Sequence, residues 1–171
     1  MLRRSVLLLT LLSITACSGG GCALVGRDDR PRPGSATVVH VIDGDTVDLR
    51  IGRRAETARL LGIDTPETVK PGAPVDCFGP EASARTKALL PPGTVVRLTR
   101  DVEVRDRFDR LLVYVVRADD DLFVNRSLVA DGYARTLAIE PNDAHRSDLD
   151  AAEAEARTGH RGLWGRCPPD G

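Results

Sequence analysis

The sequence predicts a mainly β fold with helices (α+β), a five-stranded Greek-key barrel of the OB type with three helices. Three observations carry that expectation. Residues 37–63 hold three strand-like runs separated by tight turns. A helical segment follows at 79–90, before two further strand runs. Two more helical segments then close the chain. A two-layer α+β sandwich has the same order of elements, and periodicity alone does not separate the two.

The elements follow in order. Residues 37–42 are rich in β-branched side chains and read as a strand, ended by the turn signal Asp43-Gly44. Residues 46–51 alternate, with Val47, Leu49 and Ile51 on one face and Thr46, Asp48 and Arg50 on the other. Gly52-Arg53-Arg54 turns the chain into a third strand over 56–63. Gly79-Pro80-Glu81 opens a helix: proline suits its first position and glutamate its positive end. Pro91-Pro92-Gly93 stops it after Leu90. Strands are expected over 95–100 and 111–117. Asn125 is a candidate cap for a short helix ending at Gly132, and Asn142 or Asp143 for an alanine-rich helix ending near Thr158. Leu149, Ala152 and Ala156 lie on the inner stripe of that last helix, and Trp164, the single tryptophan, is expected to pack the tail onto the body.

The ends read differently from the middle. Residues 1–16 have a basic start and a short apolar run, which describes a secretory signal and is too short to span a bilayer. Ile14-Thr15-Ala16-Cys17 resembles the bacterial lipoprotein signal, in which cleavage precedes the cysteine and a lipid joins its thiol, here that of Cys17. Ordinary secretion with a nearby cut is the plainer alternative. The expected location is therefore exported: anchored in the cell envelope by lipid, or extracellular. Residues 17–35 form a tether rich in Gly, Pro, Arg and Asp, residues 36–168 one folded domain, and 169–171 a tail. The formal net charge is −1; loss of residues 1–16 removes Arg3 and Arg4 and no acid, taking it to −3. That balance counts against a nonspecific nucleic-acid binder, which usually carries a basic face. Of four cysteines, Cys77 and Cys167 lie in the folded part and suit a disulfide in an exported protein, while Cys22 is left over in the tether. No C-x-x-C or His/Cys pairing points to structural zinc.

Three segments carry the candidate chemistry: Asp43-Gly44-Asp45-Thr46, Arg59 to Glu67, and Asp106-Arg107-Phe108-Asp109-Arg110. Each alone has an ordinary explanation as a turn or a charge-balanced hairpin. Arg59 is more telling, because an arginine inside an apolar strand needs a partner; an ion pair with a neighbouring carboxylate is the simplest. Together the segments supply oxygen ligands for a hard cation such as Ca²⁺. Asp45 and Asp64 would each donate a carboxylate and Thr65 its carbonyl, with Asp43 orienting a bound water. Glu67 would accept a proton from an attacking water. Arg59 and Arg110 would hold a phosphate.

Val41-Ile42-Asp43-Gly44-Asp45-Thr46-Val47, Arg59-Leu60-Leu61-Gly62-Ile63-Asp64-Thr65-Pro66-Glu67-Thr68 and Gly79-Pro80-Glu81-Ala82-Ser83-Ala84 resemble the staphylococcal nuclease (thermonuclease) family over about residues 36–165. The resemblance implies an OB barrel with three helices, a Ca²⁺ cofactor, and endonucleolytic cleavage of DNA and RNA leaving 3′-phosphate ends. It makes Asp45, Asp64 and the Thr65 carbonyl the metal ligands, with Asp43 behind them. It makes Glu67 the general base, Arg59 and Arg110 the phosphate-binding arginines, and Arg107 the match to a lysine near the substrate. Two departures stand out. The stretch 133–140 is one residue shorter than in the family's type member and lacks its substrate-stacking tyrosines, and the loop 69–74 keeps only Lys70. Cys77 and Cys167 have no counterpart in the type member. A noncatalytic OB-fold nucleic-acid-binding module is the alternative, and an envelope scaffold a more distant one. No obligate protein partner is evident; a monomer is expected, meeting membrane only through the lipid.

Overall fold

The computed structural model describes residues 34–68 and 75–168. The expected signal, the lipid-acceptor Cys17, Cys22, the Lys70 loop and the tail at 169–171 lie outside the described residues. So does the expected tether, apart from Gly34 and Ser35.

Among the described residues seven strands and four helices follow one another: β1 (Ser35–Asp43), β2 (Thr46–Ile51), β3 (Arg54–Leu60), β4 (Ile63–Asp64), α1 (Gly79–Leu89), β5 (Val95–Thr99), β6 (Leu111–Arg117), α2 (Val124–Ala130), β7 (Arg135–Thr136), α3 (Arg146–Thr158) and the single turn α4 (Leu163–Arg166). Five of the strands close a barrel in the order β1-β2-β3-β6-β5. The expected barrel of five strands is therefore present, and its three main helices lie where the sequence put them.

Alternation explains the barrel interior. Val47 and Leu49 of β2, Ala58 and Leu60 of β3, and Val113 and Val115 of β6 are fully buried. β1 carries register shifts between Val38 and His40 and between Val41 and Asp43. Such irregularities bend a strand and raise its twist. They let β1 pair with β2 along most of its length and with β5 at Ser35, Ala36 and Thr37. The closing seam is parallel: Ala58, Arg59 and Leu60 of β3 run beside Leu111, Leu112 and Val113 of β6.

Three expectations are corrected. The third strand does not run unbroken from 56 to 63. A turn at Leu61-Gly62 divides it, and Ile63 and Asp64 pair instead with Thr136 and Arg135 in a separate two-stranded ribbon. The Arg59 side chain is part of the reason, since it takes the Leu60 and Ile63 carbonyls on both sides of that turn, each at 2.7 Å. Asn125 does not cap α2, whose cap position is Phe123. Its amide is buried, accepting from Val115 N–H and donating to the Leu61 carbonyl, both at 2.9 Å. Asn142 and Asp143 do not begin the last helix, which starts at Arg146 behind His145. Asn142 spends its Oδ1 on the Glu103 N–H at 2.8 Å and so belongs to the hairpin beneath.

Leu149, Ala152 and Ala156 form the buried face of α3, as the spacing predicts. At the chain's end the deep anchor is Leu163, which is buried. Trp164 is half-buried, and the guanidinium groups of Arg135 and Arg157 lie over its ring at 5.0 and 4.2 Å. Cys77 and Cys167 are joined as a disulfide, with Cα atoms 5.8 Å apart and a sequence separation of 90. Among the described residues no helix is long and apolar enough to cross a membrane.

Candidate active site

The site forms where β1 turns into β2 and where β3 leaves the barrel. Asp43 ends β1 and Asp45 precedes β2, and both are buried at 5% exposure. Burying two carboxylates side by side is costly unless each is hydrogen-bonded. Asp43 Oδ1 accepts from Gly44 N–H at 2.8 Å and from the Thr68 hydroxyl at 2.7 Å. Asp45 Oδ1 accepts from the Thr46 hydroxyl at 3.0 Å. Its Oδ2 accepts from the Thr65 N–H at 3.1 Å and the Thr65 hydroxyl at 3.2 Å. Thr65 lies so close to the turn that a Cβ on Gly44 would stand 2.4 Å from its Oγ1; only glycine fits there. The Gly44 carbonyl is held from the other side by Thr86 of α1, whose hydroxyl donates at 2.6 Å.

Arg59 joins the two acidic segments. It sits on β3 between Thr46 of β2 and Leu112 of β6, with 7% of its surface exposed. Its Nη1 is spent on the Leu60 and Ile63 carbonyls. Its Nη2 donates to Asp64 Oδ1 at 3.0 Å and lies 3.1 Å from Asp45 Oδ2. The ion pair expected of Arg59 is made with the very carboxylates expected to hold a cation. Both Nη groups are occupied, so Nε is the nitrogen left for a ligand. Asp64 stands at the rim, its side chain 55% exposed. Desolvation raises its carboxyl above the ordinary range; Arg59 opposes this and the Asp45 charge adds to it.

Glu67 follows, itself exposed, in a segment outside any strand or helix. Desolvation first, and then the Asp43 carboxylate beside it, push its carboxyl above the usual range. Asp43, Asp45, Arg59, Asp64, Thr65 and Glu67 thus form one connected group.

The two remaining candidates keep to their own hairpin. Arg110 donates from Nε to Asp106 Oδ2 at 2.7 Å, and its guanidinium lies 5.4 Å from the Phe108 ring. Arg107 lies over the same ring, 4.7 Å from its centre. Neither contacts the acidic group. Hydrogen bonds from Arg110 hold the Asp106 carboxyl below its ordinary range, although desolvation opposes them. The register connects this hairpin to the site: Leu112, two residues after Arg110, lies directly beside Arg59.

A profile described as Staphylococcal nuclease homologue matches residues 57–166. The chain belongs to the staphylococcal nuclease family. It is 40% identical over 132 residues to the thermonuclease of Staphylococcus intermedius, 77% of each chain. It is 36% identical over 127 residues to the thermonuclease of Staphylococcus hyicus, covering 74% of this chain and 73% of the other. Endonuclease YncB of Bacillus subtilis (strain 168) is 33% identical over 133 residues, 77% of this chain and 62% of that one.

Sequence reading of this staphylococcal nuclease homologue missed the supporting roles of four residues. Thr68 and Thr86 hold the Asp43-Gly44 turn, Asp106 holds Arg110, and Asp76 bonds the main chain of Glu67. Thr86 and Asp76 stand in no motif; Thr68 and Asp106 do, but their partners are found only by asking which donor meets which acceptor in space.

Proposed function

We propose that this chain is an exported endonuclease that hydrolyses phosphodiester bonds of DNA and RNA, is Ca²⁺-dependent, and leaves 3′-phosphate ends. The observation that carries the reading is the convergence of Asp45 and Asp64 on one guanidinium, with a third and a fourth acid, Asp43 and Glu67, alongside. Among the described residues no three His, Cys, Asp or Glu side chains form a closed metal cage. Two carboxylates and a carbonyl are instead an open, all-oxygen donor set, suited to a hard cation that keeps water and substrate as its other ligands. The crowding fits the same ion, because burial, and with it the Asp45 charge, raises the Asp64 carboxyl and a positive charge would relieve it. Asp45, Asp64 and the Thr65 carbonyl would hold Ca²⁺, which supplies Lewis-acid polarisation of a phosphate oxygen.

The chain's own residues do the rest. Glu67 takes a proton from water as the water oxygen bonds to phosphorus. The bond to the 5′-oxygen breaks and that oxygen leaves with a proton from solvent. Arg59 through Nε, and Arg110 through Nη groups that bond no described residue, offset the charge growing on the phosphoryl oxygens. Cys17 would carry the lipid that anchors the protein, which acts as a monomer without a protein partner. The test is cleavage of single-stranded DNA with Ca²⁺, with a chelator, and by Glu67→Gln. The expected result is Ca²⁺-dependent cleavage, reduced about 10²- to 10⁴-fold in kcat by Glu67→Gln. Folded protein that binds the strand and never cuts it would instead favour the noncatalytic binding module.

A further inference from the structure

Glu67 lies outside any strand, whereas Asp43 ends β1, Asp45 sits in the turn between β1 and β2, and Asp64 lies in β4. The Glu67 neighbours Thr65 and Thr68 are tied to Asp45 and Asp43. Glu67 itself is tied to Asp76, and by both main-chain groups. Its N–H donates to Asp76 Oδ2 at 3.0 Å, and its carbonyl accepts the Asp76 N–H at 3.0 Å. The Asp76 carbonyl accepts in turn from Gly79 N–H at 3.0 Å, at the first residue of α1. The approach is close enough that a Cβ on Gly79 would stand 2.8 Å from the Glu67 carbonyl oxygen.

What holds Asp76 is equally specific. The next residue, Cys77, is bonded to Cys167, whose N–H donates to the Leu163 carbonyl at 2.9 Å. Leu163 is buried and its own N–H donates to Gly132 at 2.9 Å. Phe78 comes next, and its ring packs on Tyr133 at 5.3 Å. Both anchors therefore reach the same part of the body, the chain just after α2.

We propose that Asp76 is a positioning residue for Glu67, and that the Cys77–Cys167 bond anchors it. Asp76 touches neither substrate nor the reacting atoms; it fixes the main chain from which the Glu67 carboxyl projects. Exposed hydrogen bonds are individually modest. Catalytic geometry is nonetheless sensitive, since a displacement of about 1 Å can cost about 10²-fold in rate. The disulfide acts by keeping Asp76 beside its partner. This inference rests on the general-base reading of Glu67.

The test compares the oxidised full chain with Asp76→Ala, Asp76→Asn, and the double variant Cys77→Ala/Cys167→Ala. Glu67→Gln is run in parallel. Cleavage of single-stranded DNA in Ca²⁺ gives kcat and KM, and amide hydrogen exchange reports the Glu67 N–H directly. Asp76→Ala is expected to lower kcat about 10-fold or more with KM within about 2-fold, and to lose protection at Glu67. Asp76→Asn, which keeps an acceptor oxygen, should recover most of both. The cysteine double variant should lower kcat in the same direction, and adding Asp76→Ala to it should cost less than in the parent, because the two share one route. A folded Asp76→Ala with parental kcat and Glu67 protection would overturn the proposal. So would Asp76→Asn failing as badly as Asp76→Ala, which would make charge rather than the hydrogen bond the cause. Full activity in Glu67→Gln would sink the general-base reading instead, while the exchange data would still decide whether the clasp exists.

Discussion

Arg59 shows how one side chain can organise a site. A guanidinium presents several fixed donors, and here they link two carbonyls and two carboxylates from three segments of the chain. Removing it strands Asp45 in the interior. Arg59→Ala is expected to cost about 3–5 kcal/mol of stability, the usual penalty for breaking a buried pair. Urea denaturation checks this through a lowered midpoint, and an unchanged midpoint would refute it. Tyr114 gives a residue-scale pH prediction. Its ring is buried against Phe123 and His145, and its hydroxyl faces Asp101 at 3.4 Å. Burial, and then the Asp101 charge, push its phenol up to about 12. Because the folded state holds this proton more tightly than the unfolded state, the stabilisation is complete below the ordinary phenol range of about 10. It is lost as pH rises through about 12. In a Tyr133→Phe variant Tyr114 is the sole tyrosine, so its phenolate absorbance should rise at the upper value together with loss of structure. A rise near the ordinary value in folded protein would contradict the assignment. Arg59 was legible in the sequence because a lone charge in an apolar strand demands a partner. Thr68, Thr86 and Asp76 were not, because a threonine or aspartate in a polar segment makes no such demand.

At the scale of elements, α2 is the instructive case. Its sequence offers a polar residue near a helix start, which ordinarily signals a cap. The structure uses Asn125 to join α2 to β6 and to the chain leaving β3. Asn125→Ala would leave the Val115 N–H and the Leu61 carbonyl buried without partners. The expected loss is about 1–3 kcal/mol for each, read as a lower urea midpoint with an unchanged slope. If Asn125 were only a local cap, the loss would stay near 1 kcal/mol. The same reasoning explains the divided third strand. Residues 56–63 are apolar enough to run on, yet Arg59 and the turn at Leu61-Gly62 send Ile63 and Asp64 to β7. A local pattern cannot report a partner about seventy residues away.

For the whole molecule, closure matters most. The barrel closes through the parallel seam between β3 and β6, which comes after α1 and β5 in the chain. A disulfide then ties the start of α1 to the chain's end. In the chain-entropy model a loop this long gains up to ~4–5 kcal/mol, and measured gains are commonly about 2–4 kcal/mol. The Cys77→Ala/Cys167→Ala variant should therefore unfold at a lower temperature by calorimetry. The two forms melting together would show that the bond contributes nothing to stability.

The amino-acid sequence determined the five barrel strands and the three main helices, because period-two alternation and turn residues act over a few neighbours. It also determined the family, and it proposed the acids and arginines of the site, since those residue types occur in recognisable order. Only the tertiary structure decided that Arg59 binds Asp45 and Asp64 together, that Arg110 and Arg107 bond within their own hairpin, and that Asp76 clasps Glu67. The reason is physical. A hydrogen bond or ion pair depends on distances of about 3 Å between groups that may be tens of residues apart, and the fold alone brings them to that distance.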